Sequence, residues 1–185
     1  MTSNPNKAAE VAAFFAGVAD VTHACLECPE YRDDDIGEIA RQKAAFAYEA
    51  LGEPLLVDDT AFCIRALNGF PGPYAAYVQK TIGNPGILKL VEGMPDRSAY
   101  FETAIAFAGS SGIRVFRGRI DGRVVTGRGT GGFGYDPIFE YRGRTLAELT
   151  LAEKSRLSHR ARALLAMREW LEGQSGDVQG APGSA

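Results

Sequence analysis

Hydrophobic positions in this chain recur at two periods, and the switches between them mark out its elements. From Ile36 to Leu51 the apolar residues Ile36, Ile39, Ala40, Ala44, Ala47 and Leu51 fall near every 3.6 residues, with Gly52 just beyond, which predicts one amphipathic helix. Residues 6–16 suit a shorter helix stopped by Gly17, and 18–26 read as a strand running into a polar loop at 29–35. The run Leu55-Leu56-Val57, bounded by Pro54 and by Asp58-Asp59, predicts a buried strand with two carboxylates at its C-terminal end. Further on, 62–67, 98–108 and 113–120 have strand character, and 74–81 and 85–93 suit short helices. Asp121-Gly122 is a hairpin signal leading into 123–126. A glycine-rich loop at 127–134 precedes a final helix carrying Ala161, Leu164, Leu165, Trp170 and Leu171. Strands and helices interleave early and the second half is β-rich, which gives an α/β class.

Composition narrows this picture. A chain of 185 residues can bury the core of one domain, expected over 1–172. The Gly-, Ser-, Pro- and Ala-rich tail, 173–185, has little to bury and is expected to be disordered. No apolar run approaches the ~20 residues needed to cross a bilayer. The opening Met1-Thr2-Ser3-Asn4-Pro5-Asn6-Lys7 lacks an apolar secretory segment, so the expected location is the cytoplasm. A net charge of −3 leaves no Lys and Arg excess for a broad nucleic-acid surface, although a few converging cations suffice for a small anion. Cys25, Cys28 and Cys63 make an odd count, which argues against a disulfide framework. Cys25-Leu26-Glu27-Cys28, with His23 upstream, has no second pair to complete a zinc site, and small buried thiols are the preferred reading.

Four segments carry candidate chemistry. Asp58-Asp59-Thr60 places adjacent acids where desolvation is costly unless a cation or donors meet them. Mg²⁺ takes one or two protein carboxylates and fills its shell with water and phosphate oxygens. Strand alternation points the neighbours apart, so one of the two acids is expected in a site; the bland alternative is a solvated turn. The stretch from Thr2 to Lys7 opens a helix whose free N–H groups suit phosphate, with Lys7 as an added cation; an ordinary N-cap by Asn4 or Asn6 is the alternative. Gly127, Gly129 and Gly132 form a G-x-G-x-x-G, but Tyr135-Asp136-Pro137 follows where a dinucleotide fold needs a helix. That loop could instead let a planar base stack on Phe133 or Tyr135, unless these are core aromatics. On one unbroken helix Lys154 and His159 would point about 140° apart, so both line one site only if the main helix starts near Ser158. A capping box at Thr150–Glu153 then implies a short helical turn before it. Ser158 and His159 are neighbours, which argues against a serine-nucleophile triad.

Taken in order, these segments resemble the inosine triphosphate pyrophosphatase family over residues 2–173. The most specific stretches are Gly132-Phe133-Gly134-Tyr135-Asp136-Pro137-Ile138-Phe139 and Glu153-Lys154 followed by Ser158-His159-Arg160. Supporting stretches are Pro29-Glu30-Tyr31, Val57-Asp58-Asp59-Thr60 and Gly69-Phe70-Pro71-Gly72-Pro73-Tyr74, and the eukaryotic-type branch is the most similar. The resemblance implies an elongated mixed sheet with flanking helices, two lobes around a central substrate cleft, and a homodimer. It implies hydrolysis of deaminated purine nucleoside triphosphates (ITP, dITP, XTP) to the monophosphate and pyrophosphate, with Mg²⁺ as cofactor and Mn²⁺ as its substitute. By matching motif, Thr2, Asn4 and Lys7 belong to the phosphate loop and Glu30 and Asp59 hold the metal. Lys43 and Lys154 pair with the triphosphate and Thr60 contacts the nucleotide. Phe133, Gly134, Tyr135 and Asp136 flank the base, and His159 and Arg160 read its edge. Asp59, as ligand or base, and Lys43 are the expected catalytic residues. Donors on the base edge accept the C6 carbonyl of hypoxanthine or xanthine and leave the amino group of adenine facing another donor.

One departure stands against this. The family has a full strand before its Thr-Gly-Asn loop, whereas only Met1 precedes Thr2 here, and Ser3 stands where Gly is usual. The alternative it raises is a nucleotide-binding or sensing protein with impaired catalysis. A second alternative is a broader pyrophosphatase acting on other modified bases.

Overall fold

The computed structural model describes residues 4–17 and 21–177, with side chains to Gly173. Helix α1 (Pro5–Phe15) starts at Asn4, whose side chain accepts from the Asn6 amide, and α2 (Ile36–Leu51) starts at Asp35 and ends at a left-handed Gly52. Strand β1 (Leu55–Ile64) is followed by the two-residue β2 (Pro71–Gly72) and helices α3 (Ala75–Thr81) and α4 (Gly83–Leu90). The long strands β3 (Ser98–Gly109) and β4 (Gly112–Val124) come next, then β5 (Phe139–Tyr141) and β6 (Arg144–Thr145). Helices α5 (Leu151–Leu157) and α6 (His159–Asp177) close the described chain. The sheet order is β2-β1-β3-β4-β5-β6, and every described ladder is antiparallel.

The α/β class stands, with several boundaries moved. β1 does not end at Asp58-Asp59 but runs on to Ile64, absorbing the first half of the separate strand expected at 62–67, because partners from elsewhere in the chain neutralise the acids; Arg65–Leu67 form a 3-10 turn instead. Asp121-Gly122 is not a turn: both lie inside β4, opposite Tyr100 and Ala99, and the hairpin turns instead at Ser110-Ser111. Gly122 is needed because a Cβ there would strike the Phe139 ring and the Glu140 carbonyl. Residues 21–26 form no strand, since none of the described strands supplies a ladder for them; 18–20 lie outside the described residues. Helix α6 continues past the expected domain end at 172 to Asp177, and 178–185 lie outside the described residues.

Alternation along β1 places the site. Its odd positions Val57, Ala61 and Cys63 pack under α2 with Ala104 and Ala106. On its even face Leu56 joins a core of Val11, Phe15, Ile105, Leu164 and Met167 beneath α1 and α6. Farther along that face, Phe62 and Ile64 join a second core with Phe101, Ile120, Tyr135, Phe139 and Leu146. Between these two cores sit Asp58 and Thr60. Two apolar cores are thus divided by a polar seam.

Candidate active site

Arg160, the second residue of α6, is 1% exposed and fills the centre of that seam. Its Nε donates to Asp58 Oδ2 at 2.6 Å, one terminal nitrogen donates to Glu10, and the other donates to the Thr60 hydroxyl at 3.2 Å. Lys7 comes over the edge of β1 to pair with Asp58 Oδ1 at 2.5 Å. Burial works against the charged form of Asp58, but Arg160 and Lys7 outweigh it and hold the carboxyl well below its usual range.

Glu10 extends the network through the molecule. It pairs with Lys154 at 2.5 Å as well as with Arg160, and Lys154 reaches Asp136 at 2.6 Å. Asp136 in turn accepts from the Phe133 amide at 2.7 Å, and the Lys154 ammonium lies 4.6 Å from the centre of the Phe133 ring. Three cations and three carboxylates thus alternate from α1 to the glycine loop: Lys7, Asp58, Arg160, Glu10, Lys154, Asp136. The break between α5 and α6 allows this. Thr150 and Glu153 cap the short helix reciprocally, and Ser158, whose hydroxyl accepts from the Ala161 amide, starts the long one. Lys154 and His159 are both buried as a result.

His159 stacks on Phe101 at 4.7 Å and its Nδ1 lies 2.6 Å from the Thr103 hydroxyl, which is 2.7 Å from that of Thr60. Burial first, then the charges of Arg160 and Lys154, hold the imidazole pKa well below its ordinary 6.5, so the folded ring is neutral. An unfolded chain takes up a proton there as pH falls through 6.5 and the folded chain does not; this contribution is complete above that pH and is lost below it. We expect the stability of the wild type relative to His159→Gln to fall by up to ~1.4 kcal/mol per pH unit below about pH 6.5, read from urea midpoints. Parallel pH profiles for the two proteins would contradict a neutral buried ring.

Asp59 points to the opposite face. Its carboxylate meets Lys43 of α2 at 3.4 Å, and burial pushes its pKa up while Lys7 and Lys43 pull only part of the way back. The adjacent acids therefore differ: Asp58 is saturated by two close cations, and Asp59 keeps an incompletely matched charge. Glu30 is exposed, and its charge acts on Cys28, whose thiol also feels Lys43. Among the described residues no three His, Cys, Asp or Glu side chains come together as a metal cage. Hard oxygens from one or two carboxylates suit Mg²⁺, which keeps water and phosphate in its remaining positions, and do not suit a closed structural zinc site.

Several expected contacts take a different form. Thr2 lies outside the described residues. Asn4 is the N-cap of α1, with the Asn6 amide 3.0 Å from its side chain. Arg160 and Lys154, expected at the base edge and the triphosphate, are held by internal carboxylates. Thr60 belongs to the hydroxyl chain beside Arg160. Tyr135 is a core residue, stacked on Phe62 at 4.5 Å with its hydroxyl donating to the Ala75 carbonyl, which leaves half-buried Phe133 as the ring with a face to offer. The Gly134 carbonyl accepts from Gln79 and Asn84, tying the glycine loop to α3 and α4. Glu10, Phe101 and Thr103 were not foreseen. Glu10 could have been found, because Lys7, Glu10, Val11, Phe14 and Phe15 share one helical stripe and a glutamate among those apolar residues calls for a buried cation.

Known proteins share both sequence and architecture with this chain. It is 43% identical to a dITP/XTP pyrophosphatase of Thermococcus kodakarensis, covering 93% of this chain and 95% of the relative. It is 41% identical to an inosine triphosphate pyrophosphatase of Emericella nidulans, covering 92% and 94%. A solved Ham1 protein of Coxiella burnetii superposes with a TM-score of 0.81 at 29% identity, over 93% of this chain and 96% of that one. The pattern of the Ham1 family matches residues 1–170, and with that match the chain belongs to the Ham1 family.

Proposed function

We propose that this chain hydrolyses the α–β phosphoanhydride of deaminated purine nucleoside triphosphates (ITP, dITP and XTP), releasing the monophosphate and pyrophosphate. The unequal pair at Asp58 and Asp59 carries the proposal. One acid is neutralised inside the network, and the next stands half-buried beside Lys43 with charge to offer. Asp59 and Glu30 would hold Mg²⁺ or, in its place, Mn²⁺, which when bound supplies Lewis-acid stabilisation of phosphate charge. Lys43 would add a cation to the leaving pyrophosphate and Asp59 would orient the attacking water. Phe133 would stack on the base. The names of the two relatives above support the substrate class. We take the working form to be a cytoplasmic homodimer. Phe70, Tyr74 and Tyr77 leave 42%, 48% and 68% of their surface exposed, apolar area of the kind a second copy covers. Among the described residues no helix is long and apolar enough to cross a membrane. With Mg²⁺ present, pyrophosphate release from ITP should exceed that from ATP by about 10- to 100-fold, and EDTA should abolish it. Equal turnover of ATP, or full turnover in EDTA, would sink the proposal.

A further inference from the structure

Two side chains from different helices converge on one backbone oxygen of the glycine loop. Gln79 of α3 donates to the Gly134 carbonyl at 3.2 Å, and Asn84 of α4 donates to the same oxygen at 3.0 Å. A carbonyl only accepts, so both amides must turn their NH₂ groups toward it. Both helices are seated in the core: Val78, next to Gln79, and Ile87, on the turn of α4 that follows Asn84, are buried with Tyr135 and Phe139. Gly83, left-handed at a φ of 60°, turns the chain between the two helices. Tyr135 adds a further tie to α3, its hydroxyl donating to the Ala75 carbonyl at 2.8 Å.

Phe133 is thereby held from two directions. Its own amide donates to Asp136 Oδ2, which Lys154 also grips, and the carbonyl of the next residue is held by Gln79 and Asn84. Gly131, Gly132 and Gly134 surround the ring in sequence, and glycine gives a backbone little stiffness of its own. The attitude of the Phe133 ring therefore depends on these contacts. We infer that Gln79 and Asn84 are positioning residues for the nucleobase: by clamping the Gly134 carbonyl they set the plane that Phe133 offers for stacking. The base-positioning half rests on the hydrolase proposed above. Neither amide touches the nucleotide in this account. The phosphate end of the site, Asp59 and Lys43, is built on β1 and α2, so a loosened loop weakens the grip on the base and leaves the phosphate chemistry in place. One carbonyl needs one donor, so either amide alone keeps the clamp and their effects are strongly non-additive.

Gln79→Met and Asn84→Ala, singly and together, test the two halves by separate measurements. In hydrogen–deuterium exchange on the free protein, the double variant should exchange residues 131–136 about tenfold faster while α2 keeps its protection, and each single variant should stay near the wild type. In kinetics the double variant should raise KM for ITP about tenfold with kcat within about twofold of the wild type. Inhibition by inorganic tripolyphosphate, which carries no base, should be unmoved. Unchanged exchange of the loop in the double variant overturns the clamp. Faster exchange with an unmoved KM for ITP overturns the base-positioning role, and so does an equal loss of tripolyphosphate inhibition, which would mark a general loosening of the site. A wild type that releases no pyrophosphate from ITP fails the hydrolase proposal, and the base-positioning role with it, while the clamp still stands or falls by the exchange rates.

Discussion

Asp59→Asn should lower pyrophosphate release from ITP by about 10³-fold while leaving the protein as stable as the wild type or slightly more so. The two halves of that expectation have different origins. The activity loss follows from removing a carboxylate whose charge is incompletely met, beside Lys43 and within the field of Lys7. The stability follows from the same fact. Burial disfavours the charged form of Asp59, so an isosteric neutral amide relieves a desolvation cost and gives up a single 3.4 Å ion pair. Asp58→Asn should behave oppositely. It would take the carboxylate from Lys7 and leave Arg160 with Glu10 alone, and breaking a buried pair by removing one partner costs about 3–5 kcal/mol. Steady-state pyrophosphate release and urea denaturation on both variants separate the two roles. An Asp59→Asn protein with near-wild-type turnover, or an Asp58→Asn protein as stable as the parent, would reverse the assignment.

That two neighbouring aspartates play such different parts was half legible in the sequence. Strand alternation put them on opposite faces, and it holds: Asp58 faces α1 and α6, and Asp59 faces α2. What alternation could not supply was the partner. Arg160 lies 102 residues from Asp58 along the chain, and without it two acids after Leu-Leu-Val look like the point where a strand must stop. The same limit explains Asp121-Gly122, a local turn signal overridden because the Phe139 ring covers Gly122. Helices whose signals are local were read well. The stripe and caps of α2 gave its observed bounds, and the competing starts at Thr150 and Ser158 both exist as separate helices. The site was legible as a set of residue types and much less so as a set of contacts. The internal partners of Lys154 and Arg160 could not be read, because nothing local reveals that Glu10, Asp58 and Asp136 hold them.

Glu10 therefore gives the sharpest test of what the network does for the fold. Glu10→Gln keeps the shape and removes the charge that separates Lys154 from Arg160, both at most 3% exposed. The loss should be about 3–5 kcal/mol, a large share of the roughly 5–15 kcal/mol that holds a typical domain together. Surface pairs provide the contrast. Arg144 and Glu153 meet at 2.7 Å, only slightly longer than the 2.6 Å between Lys154 and Asp136, yet their side chains are 49% and 40% exposed, and Arg144→Ala should cost far less than Glu10→Gln. Distance does not separate the two cases; desolvation does, because water can replace a lost partner at Arg144 and cannot at Arg160. Removing both members of one pair should then recover stability. In Glu10→Gln with Lys154→Met, Arg160 keeps Asp58, and Asp136, whose carboxyl burial already pushes up, can take a proton and remain neutral. We expect this double variant to be more stable than Glu10→Gln alone by urea denaturation, with the difference largest at mildly acidic pH, where Asp136 protonates. A double variant less stable than the single one would mean that Lys154 contributes by packing its chain between the two cores, and that its charge is incidental to the fold.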